Sequence, residues 1–219
     1  FDAKKLERLN ETEVALDKLE GLLDNYLVKL TDRALTAEES TRVSELLHTL
    51  SDFERIGDYA VNVSESAVVL HDRNITFSPQ ARAELERLTA AVGETLDKTI
   101  ACYQSRQRTL AVQVEPLEEV VDLIAATLKN RHVERLKAGE CTIELGTQFL
   151  ELLINLERMS DHCSNILRQT SSPDDKVRID SHAYMHELHH GGFNQEFDDL
   201  FQEYRTKYFQ PIAGDPERV

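Results

Sequence analysis

Two stretches of this chain carry the same row of side chains. One reads SDFERIGDYAVNVSE from Ser51 to Glu65, and the other reads LERMSDHCSNILRQ from Leu156. Each contains Glu-Arg-x-x-Asp-x-x-x-Asn, as Glu54, Arg55, Asp58 and Asn62 and again as Glu157, Arg158, Asp161 and Asn165. Four-residue spacing puts the Glu, Asp and Asn of each row on one helix face. The shift between the rows is 103 positions, 157 less 54. A second pair of rows, Glu13 with Asp17 and Glu118 with Asp122, repeats at a shift of 105, 118 less 13. Two helices in the first half therefore correspond to two in the second. A duplicated helical unit follows.

The rest of the chain agrees with helices. Leu6, Leu9, Leu16, Leu19, Leu23, Leu27 and Leu30 form one apolar stripe from about Ala3 to Arg33. Thr36 with Glu39 is a capping box, predicting a second helix over about Ala37–His71 with Leu46, Leu50, Phe53, Ala60, Val63 and Ala67 inward. Ser78 followed by Pro79 opens a third helix to about Val112, and Pro116 opens a fourth in the same way. That fourth helix is expected to stop at Gly139, and Thr142 caps a fifth reaching about Gln169. The tail from Lys176 to Phe209 reads as a sixth helix broken at Gly191-Gly192. The expected fold is all-α: two tandem antiparallel three-helix bundles, residues 1–113 and 114–219, with the boundary near Gln113–Glu115.

Composition narrows the function. The formal charge is −15, from 40 acidic and 25 basic residues, which repels phosphate backbones and argues against nucleic acid. No apolar run approaches the ~20 residues a membrane helix needs, so this segment is not expected to insert in a bilayer. The three cysteines, without CxxC spacing, read as free thiols in a reducing compartment. The chain opens at Phe1 rather than Met, so it is read as a fragment, on the cytoplasmic side.

Chance supplies roughly two Glu-x-x-x-Asp pairs in such a composition, whereas five occur, the fifth being Glu20 with Asp24. The common register of four of them is the stronger signal. Carboxylates with an amide oxygen are hard ligands suited to magnesium, calcium, manganese or iron. On that reading Glu54, Asp58, Asn62, Glu157, Asp161, Asn165, Glu13, Asp17, Glu118 and Asp122 are candidate ligands. The competing reading makes the same rows interhelical ion pairs, with Arg55 and Arg158 as their cations and as anion contacts.

At these residues the chain resembles the PhoU family, through FERIGDYAVNVSE and LERMSDHCSNIL, and more loosely through ETEVALDKLEGLL and PLEEVVDLIAATL. The resemblance implies two tandem three-helix bundles and metal ligation by Glu54, Asp58, Glu157 and Asp161, extended to Glu13, Asp17, Glu118 and Asp122. Some members bind multinuclear iron or zinc clusters and others show no metal. The tail HAYMHELHHGGFNQEFDDLFQEYRTKYFQP is similar to the end of the PhoU-like cytoplasmic domain of bacterial sodium/phosphate cotransporters. That implies a non-catalytic regulator of phosphate transport, at the inner face of the plasma membrane. Its partner would be a transporter membrane domain, fused upstream or separate, and a homodimer fits such a module.

Two alternatives stand beside this reading. Glu45-x-x-His48 and Glu187-x-x-His190 have the spacing of a ferritin-like di-iron enzyme, although they do not superpose under the duplication. A metal-free scaffold that binds a partner helix is the other. His182, His186, His189 and His190 could also hold a surface metal such as zinc.

Overall fold

The structure, a computed structural model, describes residues 1–105, 108–170 and 195–213. It is helical, with no strand among the described residues. In chain order the elements are α1 (Ala3–Thr31), α2 (Ala37–Asp72), α3 (Pro79–Ser105), α4 (Arg108–Lys137), α5 (Ile143–Thr170) and α6 (Gln195–Tyr204). After α6 the chain makes a π-helical turn, Arg205–Phe209, and a last α-turn, Gln210–Ala213.

The helix ends follow from local chemistry. Thr36 accepts from the Glu39 N–H at 3.2 Å while the Glu39 carboxylate accepts from the Thr36 N–H at 2.8 Å, closing the expected capping box. Ser78 accepts from Ala81 N–H at 3.2 Å and Thr142 from Leu145 N–H at 3.2 Å, as their positions predict. Past α4, Gly139 takes φ +71°, its N–H donates to the Leu136 carbonyl and the Glu140 N–H to the Arg135 carbonyl. This is a Schellman stop. Asn74, at φ 51°, ends α2 by the same two bonds, to His71 and Leu70.

Pro116 departs from expectation. It lies inside α4, which begins at Arg108, rather than at a helix start. The boundary expected near Gln113–Glu115 thus falls within α4, and α3 ends at Ser105 rather than near Val112. An interior proline costs about 3 kcal/mol. Here Val114, Leu117, Val120 and Val121 flank it and are fully buried, so core packing outweighs the local penalty. The sixth-helix expectation from Lys176 through the Gly191-Gly192 break lies outside the described residues, whereas Gln195 onward is helical.

The main core lies among α3, α4, α5 and α6. Leu88 and Ala91 of α3 join Leu117, Val121, Ile124 and Leu128 of α4, Phe149 and Leu153 of α5, and Tyr204, Tyr208 and Ile212 of the C-terminal segment. α2 packs most extensively on α5, while α1 rests chiefly on α2. Two inward faces differ from expectation. On α2 the buried residues are Val43, Thr49, Asp52, Ile56 and Ser66, while Leu46, Leu50, Phe53, Ala60 and Val63 are half-buried and Ala67 is exposed. On α1 only Leu27 is buried. The reason is common to both: α2 lies between two neighbours and must cover two sides, whereas α1 leans on one.

The α2–α5 seam is partly polar. Asp52 Oδ1 lies 2.7 Å from His162 Nδ1, and Gln169 Nε2 donates to Asp52 Oδ2 at 3.1 Å. His162 stacks on Tyr59, which occupies the equivalent position in the first row. Asn62 donates to the Asn155 side chain at 3.2 Å, and Arg73 pairs with Glu144. Partner numbers fall on α5 as they rise on α2, so the helices run antiparallel and bring the two halves together back to back.

Candidate metal centres

Helix pairing converts the acidic rows into two matching clusters. Glu13 and Asp17 of α1 meet Asp58 of α2, and Glu118 and Asp122 of α4 meet Asp161 of α5. Within each trio one carboxylate oxygen per residue lies within 4.8 Å of the others. The trios are the same three positions under the duplication, at shifts of 105, 105 and 103. One pair of residues comes from the helix facing the motif helix, and the third from the motif Asp.

Their surroundings differ. In the first trio Asp17 and Asp58 are exposed, and Glu13 is held above the usual carboxylate range by partial desolvation and by Asp17. The second trio is deeper. Burial and then Asp122, Glu115 and Glu119 push Glu118 up to about 9. Burial and then Asp161 and Glu157 bring Asp122 to about 7, partly offset by Lys129. Burial likewise raises Asp161, against the pull of Arg158. Three anions this close, taken from water, repel unless protonated or matched by positive charge.

The other candidates have separate surroundings. Glu54 lies outside the first trio but near it, raised by burial and by Asp58, Glu20 and Asp17. Glu157 is bonded by Lys129 at 2.5 Å. Arg158 reaches Asp161 at 3.5 Å, Arg55 is exposed, and Asn62 is engaged with Asn155. Asn165 is half-buried on the motif helix. His182, His186, His189, His190 and Glu187 lie outside the described residues. Glu45 pairs with Arg42 at 3.1 Å and His48 is exposed, so that Glu-x-x-His pair faces no ligand set of the described residues.

Two acidic residues escaped the sequence reading. Glu115 accepts from Ser164 and, at 2.7 Å, from Arg168, and Glu119 is raised by burial and by Asp122 to about 7. Their counterparts in the first half are Asn10 and Val14, so the repeat carries no signal for them.

The donor chemistry fits a hard cation. Each trio offers oxygens only, from two helices, at one point. Asp122 Oδ1 is buried without a hydrogen-bond partner. A buried carboxylate oxygen left unpaired is costly, and a bound cation would satisfy it.

A family model described as the PhoU domain matches residues 1–67 and 85–170, most of the chain. The chain belongs to the PhoU family. Among its relatives is the phosphate-specific transport system accessory protein PhoU homolog 1 of Thermotoga maritima, 22% identical over 175 residues, spanning 76% of this chain and 75% of that one. The PhoU homolog of Xylella fastidiosa strain 9a5c is 25% identical over 166 residues, spanning 75% of this chain and 69% of its own. The crystal structure of PhoU from Pseudomonas aeruginosa superposes with a TM-score of 0.70 at 22% identity, covering 77% of this chain and 80% of that one. The all-helical six-helix fold is thereby that of PhoU. These relatives are accessory proteins, not enzymes, and membership of their family replaces the ferritin-like alternative. They carry the names of accessory proteins, not of cotransporters. No helix is long and apolar enough to cross a membrane among the described residues.

Proposed function

We propose that this chain is a regulatory accessory module of phosphate transport whose two acidic trios bind hard cations. It acts on a transporter membrane domain at the cytoplasmic face, as the PhoU-like portion of a sodium/phosphate cotransporter. The observation that carries the cation reading is the convergence of the same three positions in both halves, one set with an orphaned buried oxygen. Relatives named as accessory proteins of phosphate transport support the regulatory role. The tail beginning at His182 supports the cotransporter assignment.

Glu13, Asp17 and Asp58 would hold one ion and Glu118, Asp122 and Asp161 the other, with Glu54 beside the first. Iron, zinc, manganese, calcium or magnesium bound there supplies positive charge at a point where the chain has gathered negative charge. The residues themselves do the rest. They join α1 to α2 and α4 to α5, and the state of each joint can alter the surface shown to a transporter. Phosphate itself finds no direct seat in these anionic clusters.

Elemental mass spectrometry on protein purified without a histidine tag tests the reading. Near-stoichiometric iron, zinc or manganese in the wild type is expected, with loss in the combined Asp58→Ala and Asp161→Ala variant. Metal at trace levels in both, with equal stability, would return the rows to ion pairs such as Arg158–Asp161. Expression of the same variants with an intact transporter, scored by phosphate uptake, tests the regulatory half separately.

A further inference from the structure

The two acidic rows differ in the fixed charge beside them. In the second copy Lys129 of α4 bonds Glu157 of α5 at 2.5 Å, and its charge also reaches Asp122. At the other end of that row Arg168 bonds Glu115 at 2.7 Å. The trio of Glu118, Asp122 and Asp161 thus lies between two cations of the chain's own. The first copy has neither. At the shift of 105 the counterpart of Lys129 is Asp24, and at the shift of 103 that of Arg168 is Glu65. Glu54, the counterpart of Glu157, receives no ion pair among the described residues. The charges that reach it are those of Asp58, Glu20 and Asp17, all negative. Glu20 has only Ala125 as its counterpart. The place that holds an ammonium in the second copy is therefore lined by carboxylates in the first. This also gives a use to the fifth Glu-x-x-x-Asp pair, Glu20 with Asp24, which the duplication leaves without a partner.

We propose that Lys129 is a built-in cation of the second centre, seated where the first centre binds a further metal ion at Glu54 and Glu20. The inference rests on the cation reading proposed above and adds which residue sets the number of ions in each centre. A lysine ammonium is a compact point charge with three donors on a flexible stem. It satisfies carboxylates as a small cation does, and being tethered it is always present. A divalent ion entering beside Glu157 must displace it. As an ordinary ion pair, partly exposed on both sides, Lys129–Glu157 adds little to stability. Its consequence is for occupancy: the second centre is closed to a further ion, and the first is open to one. A hard divalent ion suits the open seat, because the groups around it offer carboxylate oxygens.

Manganese is the probe, because paramagnetic resonance tells free from bound ion, and it is titrated into the full chain stripped by chelator. Lys129→Gln should take up about one more ion per chain than wild type. Asp24→Lys, which gives the first copy the second copy's residue, should take up about one fewer. Both variants should melt near the wild type in chelator. An unchanged count in either variant, on a wild type that binds manganese, would make Lys129 an ordinary ion pair and overturn the proposal. A lower count in Lys129→Gln would overturn it too. So would melting far below wild type in chelator, since Lys129 would then hold the helices together and not fill a seat. A wild type that binds no manganese would remove the cation reading itself, and this inference with it.

Discussion

Asp122 shows how the second trio differs from an ordinary acidic surface. Its buried Oδ1 lacks a partner, and its neighbours Glu118 and Glu119 are themselves raised, to about 9 and about 7. Against an ordinary value of 4.5 for Glu118, the folded protein holds more protons than the unfolded chain between about pH 4.5 and 9. Stability of the metal-free protein therefore falls as pH rises through that window. In chelator, the melting temperature at pH 8.5 should lie about 3 °C or more below that at pH 5.5. Calorimetry at the two pH values checks this, and a flat or rising profile would contradict the buried cluster. Asp122→Asn removes one charge and keeps the shape. It should raise the melting temperature in chelator at pH 8.5 while removing the gain that manganese gives the wild type. The sequence pointed to all six trio residues through register. The family resemblance named Glu54 and Glu157 beside Asp58 and Asp161, and spacing along one helix cannot say which carboxylate turns towards the neighbour.

At the scale of elements, close approach depends on two glycines. A Cβ at Gly146 of α5 would stand 2.6 Å from His132 Nε2, on a ring that is itself buried in α4. A Cβ at Gly57 of α2 would stand 2.5 Å from Leu16 Cδ2, the end of a half-buried and flexible side chain. Gly146→Ala should cost about 1–3 kcal/mol, as overpacking does, and Gly57→Ala clearly less. Urea unfolding of both variants gives the comparison, and equal costs would refute the difference in packing. The caps at Thr36, Ser78 and Thr142 were legible because capping is local: three or four adjacent residues contain all the partners. Pro116 was misread as a helix start for the converse reason. Its tolerance inside α4 comes from residues of α3 and α5 far away in the chain.

Stability is unevenly spread across the whole molecule. The core among α3, α4, α5 and α6 contains the fully buried side chains, while α1 buries only Leu27. Leu88→Ala should cost about 2–5 kcal/mol, and Leu23→Ala, at a side chain 47% exposed, much less. Amide hydrogen exchange should likewise find α1 opening well before α4 and α5; equal protection would refute the uneven core. By itself the sequence determined the helical class, most helix ends, the duplication and the positions of the acidic rows, since each follows from periodicity or from neighbours a few residues apart. The tertiary structure alone decided that Asp58 joins Glu13 and Asp17, that α3 covers α4 and α5, and that α2 covers only part of the leucine stripe of α1. A helix pattern specifies which side is apolar, but only long-range burial selects which neighbour covers it and how much is left to water.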